Sequence, residues 1–188
     1  NTFLGQFAAG SSQDVDNTVI IGKNAASGGN MTTAANGTIA IGYQTLNALT
    51  SGSYNTAVGY RALTAGVTTA NNTVLGYDAM VAAAGGEESN VSIGRESLMS
   101  LNEATNSCTA DHNIAIGYRA LKSGELAAGK DFSSNIGIGN YAMDATGTNA
   151  QTGTIAIGRS ALTELTSGDG NLAIGYAAAD GITTGDRN

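Results

Sequence analysis

The sequence predicts an all-β fold, a parallel β-solenoid of ten short coils. Three observations predict it: a nine-residue motif recurs along the whole chain, each copy has a glycine at the same place, and strand-forming aliphatic residues precede that glycine. The motif is clearest at residues 55–63, Asn-Thr-Ala-Val-Gly-Tyr-Arg-Ala-Leu, and returns at residues 113–121 as Asn-Ile-Ala-Ile-Gly-Tyr-Arg-Ala-Leu. Copies 17 to 23 residues apart are too short for two helices each, so every copy predicts one turn of a β-coil.

The glycine of each copy is expected to turn the chain at the end of a strand. Such a corner needs either a positive φ or the absence of a Cβ, and stacked coils need the same corner at every turn. The ten corner glycines are Gly5, Gly22, Gly42, Gly59, Gly76, Gly94, Gly117, Gly139, Gly158 and Gly175. A larger side chain at any of them should therefore break its coil.

The residue before each corner glycine is aliphatic in all ten copies, which predicts a column of core residues. They are Leu4, Ile21, Ile41, Val58, Leu75, Ile93, Ile116, Ile138, Ile157 and Ile174. The residue two positions earlier points the same way from a strand and is also aliphatic in seven copies. A large apolar residue four positions after the glycine, such as Leu63, is expected to enter the interior from the opposite wall.

Between the two aliphatic positions of each strand lies a residue that points to the other face, and in seven copies it is small, most often alanine. Because this position carries no charge, we expect the second face to be covered as well, by identical chains that meet around an axis. Four residues before the glycine, seven copies have asparagine and three have threonine. Stacked coils would place these amides ~4.8 Å apart, close enough to form a hydrogen-bonded asparagine ladder.

Composition limits the classes of function. We interpret residues 1–188 as one repeat domain and as a fragment of a longer protein. With 27 Gly, no Pro, no Trp and 12% charged residues, the chain has a thin core, so an oligomer is expected. A net charge of −7 with scattered basic residues argues against nucleic acid as a partner. No run of 18 apolar residues is present, so direct membrane insertion is not expected.

Residues that could carry chemistry are few. Cys108, Asp111 and His112 lie close together in the longest insertion, but no further histidine or cysteine exists to complete a zinc site or a nucleophile–base pair. The stretch Gly137–Ala142 matches a dinucleotide-binding fingerprint by letters only, because it is one copy of the repeat. Two acidic pairs, at residues 14 and 16 and at residues 87 and 88, are interpreted as solvated turns rather than as a calcium site. We therefore predict no catalytic residue, no metal and no cofactor.

Tyrosines occupy the position after the corner glycine in five copies. These are Tyr43, Tyr60, Tyr77, Tyr118 and Tyr176. Stacking of the coils would align them in a stripe along one edge of the rod. Such a stripe can stack on sugars of a binding partner, or it can shield the corner and the seam with a neighbouring chain, and the latter is favoured.

The motif at residues 55–63 resembles the repeats of YadA-type trimeric adhesin heads and of related phage tail-fibre proteins. The resemblance covers all ten copies and implies a left-handed parallel β-roll in which three chains wind round one axis. It also implies attachment to a host surface through the outside of the trimer. The longer insertions, at residues 30–35, 81–89, 101–112, 122–134 and 146–153, contain no repeat motif and are where a ligand would be recognised.

The leading hypothesis is therefore a homotrimeric segment of a viral tail fibre or bacterial surface appendage. Its expected location is extracellular, on a cell surface or a virion, and its expected partners are its own copies and a host-surface glycan or protein. Two alternatives are kept. A glycan-active enzyme on a β-solenoid would need a catalytic histidine or a cluster of acids in one groove, and an ice-binding or crystal-binding protein would need a flat array of Thr-x-Thr.

Overall fold

A computed structural model describes residues 1–10, 12, 14–101, 109–122, 127, 129–145, 147 and 149–188. Twelve short strands and one 3-10 turn, Thr33–Ala35, make up its regular structure. The strands are β1 (Thr2–Leu4), β2 (Val19–Ile21), β3 (Ile39–Ile41), β4 (Thr56–Val58), β5 (Thr73–Leu75), β6 (Val91–Ile93), β7 (Ile114–Ile116), β8 (Phe132–Ser133), β9 (Ile136–Ile138), β10 (Gln151–Thr152), β11 (Ile155–Ile157) and β12 (Leu172–Ile174). The fold is thus all-β.

The chain forms a parallel β-solenoid of about nine turns. Ten of the strands form one parallel sheet in the order β1-β2-β3-β4-β5-β6-β7-β9-β11-β12, and β8 and β10 form a second, two-stranded parallel sheet. Equivalent residues of the repeat lie side by side, because Ile41 pairs with Val58 and Val58 pairs with Leu75. The stacking predicted from the repeat is therefore confirmed for the main sheet.

The corner glycines end the strands of the main sheet with φ between 129° and 149°, a region that favours glycine. The lack of a side chain is equally required at nine of the ten, as Gly59 illustrates. A Cβ built on Gly59 would lie 2.2 Å from the carbonyl oxygen of Gly76 in the next turn. The corners therefore stack backbone against backbone along the rod.

Backbone hydrogen bonds also join the turns beyond each corner. Arg61 donates its N–H to the carbonyl of Tyr43 in the preceding turn at 2.9 Å, and Leu63 donates to Ala79 in the following turn at 3.0 Å. Both donors have a positive φ, 53° at Arg61 and 51° at Leu63. Left-handed conformations cost energy in residues other than glycine. Here these conformations direct the N–H groups of Arg61 and Leu63 to the two neighbouring turns.

The structure corrects the predicted core. Aliphatic residues before the corner glycines lie on the outer face of the sheet, and the small middle residues of the strands point inside. The residues predicted as core but found on the outer face are Leu4, Ile21, Ile41, Val58, Leu75, Ile93, Ile116, Ile138, Ile157 and Ile174. In the strand Thr56–Val58, for example, Ala57 is fully buried. The two faces of the strand are thus exchanged relative to the prediction.

The inversion follows from the small width of each coil. Large side chains four residues after the corner, such as Leu63 and Leu121, fill the interior as predicted and are fully buried. Opposite them little room is left, because a Cβ built on Gly137, the middle residue of β9, would lie 2.7 Å from Cγ of Leu121. Interiors pack to near crystal density, so a large residue on one wall requires a small one on the other. Most of the large β-branched residues of the strands are therefore on the outside, and Ile20 and Val74 are buried exceptions.

An asparagine ladder runs through the interior, as the repeat predicted. Between residues 55 and 135 each asparagine side chain donates to the amide oxygen of the one before it, for example Asn90 Nδ2 to Asn72 Oδ1 at 3.2 Å. The same oxygen accepts the Asn90 backbone N–H at 2.9 Å, and Asn90 Nδ2 also donates to the Ala110 carbonyl at 2.9 Å. Each of these buried amides is thus hydrogen-bonded both to the preceding turn and to the backbone at the far end of its own coil.

Candidate interaction surfaces

The outer side of the main sheet presents one continuous apolar surface, here called the aliphatic face. It consists of the first and third residues of the ten strands, and these are Ile, Val or Leu except for Thr2, Thr56 and Thr73. Leu75 is 48% exposed and Ile174 is 65% exposed. Ten strands spaced ~4.8 Å apart make this face about 45 Å long. An apolar surface of this extent without a charged side chain is typical of an interface with another protein.

The edge beside this face is formed by the residues that follow the corner glycines, here called the tyrosine–arginine column. From one end of the rod to the other it consists of Gln6, Lys23, Tyr43, Tyr60, Tyr77, Arg95, Tyr118, Asn140, Arg159 and Tyr176. The structure brings the five predicted tyrosines into this column but divides them into three groups. Arg95 separates the first three from Tyr118, and residues 140 and 159 separate Tyr118 from Tyr176.

The tyrosines stack on one another along the rod. The ring centroids of Tyr43 and Tyr60 are 5.2 Å apart and those of Tyr60 and Tyr77 are 5.1 Å apart, with interplanar angles of 22° and 6°. The guanidinium carbon of Arg95 then lies 5.5 Å from the ring centroids of both Tyr77 and Tyr118. Because the inner ring faces are covered by these neighbours, a sugar cannot stack flat on them. Ring edges and hydroxyl groups are what the column offers to a partner.

Charged residues on and beside the column form ion pairs, either between turns or within one turn. Arg61 Nε lies 3.7 Å from Asp78 Oδ1, and Arg95 Nη2 lies 2.9 Å from Glu96 Oε1. The hydrogen bond and the charge of Glu96 raise the pKa of the Arg95 guanidinium. Arg61, Arg95 and their partners therefore balance one another locally.

A second set of ion pairs is centred on Arg119. Its Nε lies 3.3 Å from Asp144 Oδ1 and 4.0 Å from Glu96 Oε2. Burial raises the pKa of Asp144, while the positive charges of Arg119 and Lys122 act in the opposite direction. Arg119 also lies over the ring of Tyr141, with 5.8 Å from its guanidinium carbon to the ring centroid. The middle of this edge is thus a compact network rather than a row of free charges.

Folding collects the basic residues, which are scattered in the sequence, on this edge. The first five residues after the corner glycines, here called the corner edge, carry six of the eight basic residues but four of the fifteen acidic ones. The six are Lys23, Arg61, Arg95, Arg119, Lys122 and Arg159. The rest of the chain is therefore much more acidic than the total charge of −7 indicates. The repeat alignment could have revealed this, because these residues share a few positions relative to the glycine.

The candidate residues of the longest insertion are Cys108, Asp111 and His112. Exposed His112 has a φ of 59° at the turn before its strand, and Asp111 Oδ1 accepts the Glu88 N–H at 2.6 Å. Cys108 lies outside the described residues. In the part of the chain that the structure describes, no three His, Cys, Asp or Glu side chains are grouped as metal ligands. Nor does any helix in that part have the length and hydropathy of a membrane span.

The acidic pairs and the dinucleotide-like stretch have ordinary places in the solenoid. Asp14 and Asp16 are exposed, whereas Glu87 is fully buried and its Oε1 accepts the Gly85 N–H at 3.3 Å. The prediction that residues 87 and 88 form a solvated turn is thus wrong for Glu87. Gly137 and Gly139 lie on β9 and at the following corner, which leads into turns instead of the helix that a dinucleotide site requires.

Comparisons with known proteins name no relative. No protein-family model matches the chain, no curated protein matches it, and no solved structure matches it. The arguments about function therefore depend on the repeat and on the two surfaces described above.

Proposed function

We propose that this chain is a structural and adhesive segment of a trimeric surface fibre, which attaches a virion or a bacterial cell to a host or cell surface. The observation that carries the proposal is the aliphatic face. Covering it would remove a row of Ile, Val and Leu side chains from water. Complete burial of one such side chain stabilises by about 1.5–3 kcal/mol, and each would contribute the part that is still exposed, which is 48% for Leu75. Monomeric soluble proteins rarely expose a continuous apolar surface of this length.

The partner that fits the aliphatic face best is another copy of the same chain. Its side chains form ridges that repeat once per turn, ~4.8 Å apart, over about 45 Å. A second solenoid presents the same period over the same length, so parallel copies can interdigitate at every turn. The number three comes from the resemblance to trimeric adhesin and tail-fibre repeats. Regular stacking, which repeats the same surface at every turn, supports a structural rod.

Light scattering on the purified chain tests the assembly. We expect a mass about three times the chain mass of 18.7 kDa, and a stable monomer would contradict the proposal. Val58→Lys places a charge on the aliphatic face and should reduce the mass to that of one chain, because a charge buried at an interface without a partner is costly. Glu164→Lys, at an exposed position outside this face, is the matched control and should remain trimeric.

A further inference from the structure

We infer that the corner edge binds a linear acidic glycan that lies along the rod. This inference depends on the proposed function, because it names the class of ligand through which the fibre would attach. The column supplies one side chain per turn, at a repeat set by the backbone. A ligand that follows this edge must therefore be extended and repetitive, as a polysaccharide chain is.

Hydrogen-bonding groups along the column are available to such a ligand. Tyr60 and Tyr77 are 44% and 47% exposed, and Tyr176 is 76% exposed. None of the five tyrosine hydroxyls has a hydrogen-bond partner among the described residues. Since stacking covers the inner ring faces, these hydroxyls are the outward chemistry of the column. A row of phenol hydroxyls suits a polymer that is itself rich in hydroxyl groups.

Two cations on the column indicate that the ligand is acidic. Lys23 and Arg159 form no ion pair with any described residue, unlike Arg61, Arg95 and Arg119. They lie seven turns apart, about 34 Å along the rod at ~4.8 Å per turn. A small molecule cannot reach both. Between them Tyr77 and Arg95 line a shallow depression of about 370 Å³, which is large enough to receive one substituent of the chain.

Nucleic acid fits this edge less well than a glycan does. Proteins bind single strands by stacking bases on aromatic faces, and here the inner faces are occupied by neighbouring side chains. A glycan offers hydroxyl groups along its whole length, which the tyrosine hydroxyls of the column can hydrogen-bond without stacking.

Binding measurements with defined polymers test the inference. The intact chain is titrated with a heparin oligosaccharide, an oligogalacturonate, neutral dextran and a single-stranded oligonucleotide, at low and at high salt. We expect at least one acidic glycan to bind, to bind more weakly as salt is added, and to bind more tightly than dextran or the oligonucleotide. Absence of acidic glycan binding, or tighter binding of the oligonucleotide, would overturn the inference.

Variants separate the column from the remaining surface. Lys23→Gln combined with Arg159→Gln should weaken glycan binding about five- to tenfold, as the loss of two exposed charge contacts predicts. Lys130→Gln combined with Arg187→Gln removes two exposed charges elsewhere and should leave binding unchanged. An equal loss in both double variants would contradict a site on the column.

Tyrosine variants test the hydroxyl row. Tyr60→Phe keeps the stack and removes only the hydroxyl, so it should weaken binding, whereas Tyr54→Phe changes an exposed tyrosine off the column and should not. An equal effect of the two would contradict the inference. Light scattering on the same samples separates the two proposals. A trimer that binds no acidic glycan overturns only this inference, and a monomer overturns the proposed function.

Discussion

The Cβ atom, which glycine lacks, is what excludes other residues from the corner position. Gly59 has a φ of 141°, and a Cβ there would meet the backbone of the next turn. Gly153 also has a positive φ, 65°, but a Cβ built on it meets nothing within 4 Å. Tyr54 and Asn71 occupy the equivalent position in other turns, with φ of 61° and 59°. A φ near 60° is therefore tolerated by other residues in this fold, whereas the corner combines a φ of 141° with close contact between backbones.

The first prediction compares these two glycines. Gly59→Ala should lower the free energy of unfolding by about 3 kcal/mol or more, because it adds a backbone clash to a strained φ. Gly153→Ala should cost about 1 kcal/mol, the ordinary penalty of a left-handed residue. Urea denaturation of both variants measures the difference. Equal losses would show that the corner position does not depend on glycine more than an ordinary left-handed turn does.

The second prediction concerns Asp144. Burial raises its pKa above the usual 3.8, so the folded state holds the proton more tightly than the unfolded state does. Stability should therefore fall as pH rises from 3.8 through the raised pKa, and the loss should be complete above it. Asp144→Asn carries no titrating group. Its stability relative to the wild type should increase across this pH window and then remain constant.

Denaturation midpoints of both proteins at a series of pH values measure this difference. Asp180→Asn, at an exposed position in the same slot of the repeat, serves as the control for loss of a surface charge. A stability difference that falls with pH would mean that the attraction of Arg119 outweighs the burial of the Asp144 carboxylate.

At the scale of one strand, the sequence predicts where each strand lies along the chain, but it does not predict which face of the strand is buried. The strand Thr56–Val58, its corner glycine and its pairing with neighbours were all predictable from the repeat. A period of two residues defines two faces without saying which is inside, and a shift of one residue exchanges them. The clue was Leu63, because a short coil that encloses a large side chain on one wall leaves little room on the other, and Ala57 is the small residue of that strand.

The third prediction concerns an interruption in the asparagine ladder. Thr38 occupies an asparagine position, and its hydroxyl is buried without a hydrogen-bond partner. Thr38→Asn would supply an amide oxygen for Asn55 and a donor for the Gly52 carbonyl. The geometry is that of the Asn72–Asn90 step. We expect stabilisation of about 1 kcal/mol, measured as a shift of the urea midpoint.

The reverse substitution provides the matched test of the ladder. Asn90→Thr removes donors and acceptors that serve Asn72, Asn113 and Ala110, and it should destabilise the protein by about 1–3 kcal/mol. If Thr38→Asn instead lowers stability while Asn90→Thr has no effect, the amide column is a consequence of stacking and not one of its causes.

At the scale of the whole molecule, each turn contacts mainly the turns on either side. Stability in such arrays is approximately a sum over turns and over the contacts between neighbours. The interior of each turn is thin, with Ala57 facing Leu63, so much of the apolar surface of the chain lies on the outer face. The corner edge depends on stacking in the same way, because residues distant in sequence, such as Lys23 and Arg159, become members of one column only when the coils stack. A scan of local charge along the sequence cannot detect that.

The fourth prediction follows from this distribution of apolar surface. If trimerisation covers the aliphatic face, unfolding separates three chains, and dilution must favour the unfolded state. For a chain of this size the melting temperature should rise by about 2–4 °C for each tenfold increase in protein concentration. Val58→Lys, expected to be monomeric, should melt at a lower temperature that does not change with concentration. A wild-type melting temperature independent of concentration would mean that the isolated chain is stable with its aliphatic face exposed to water.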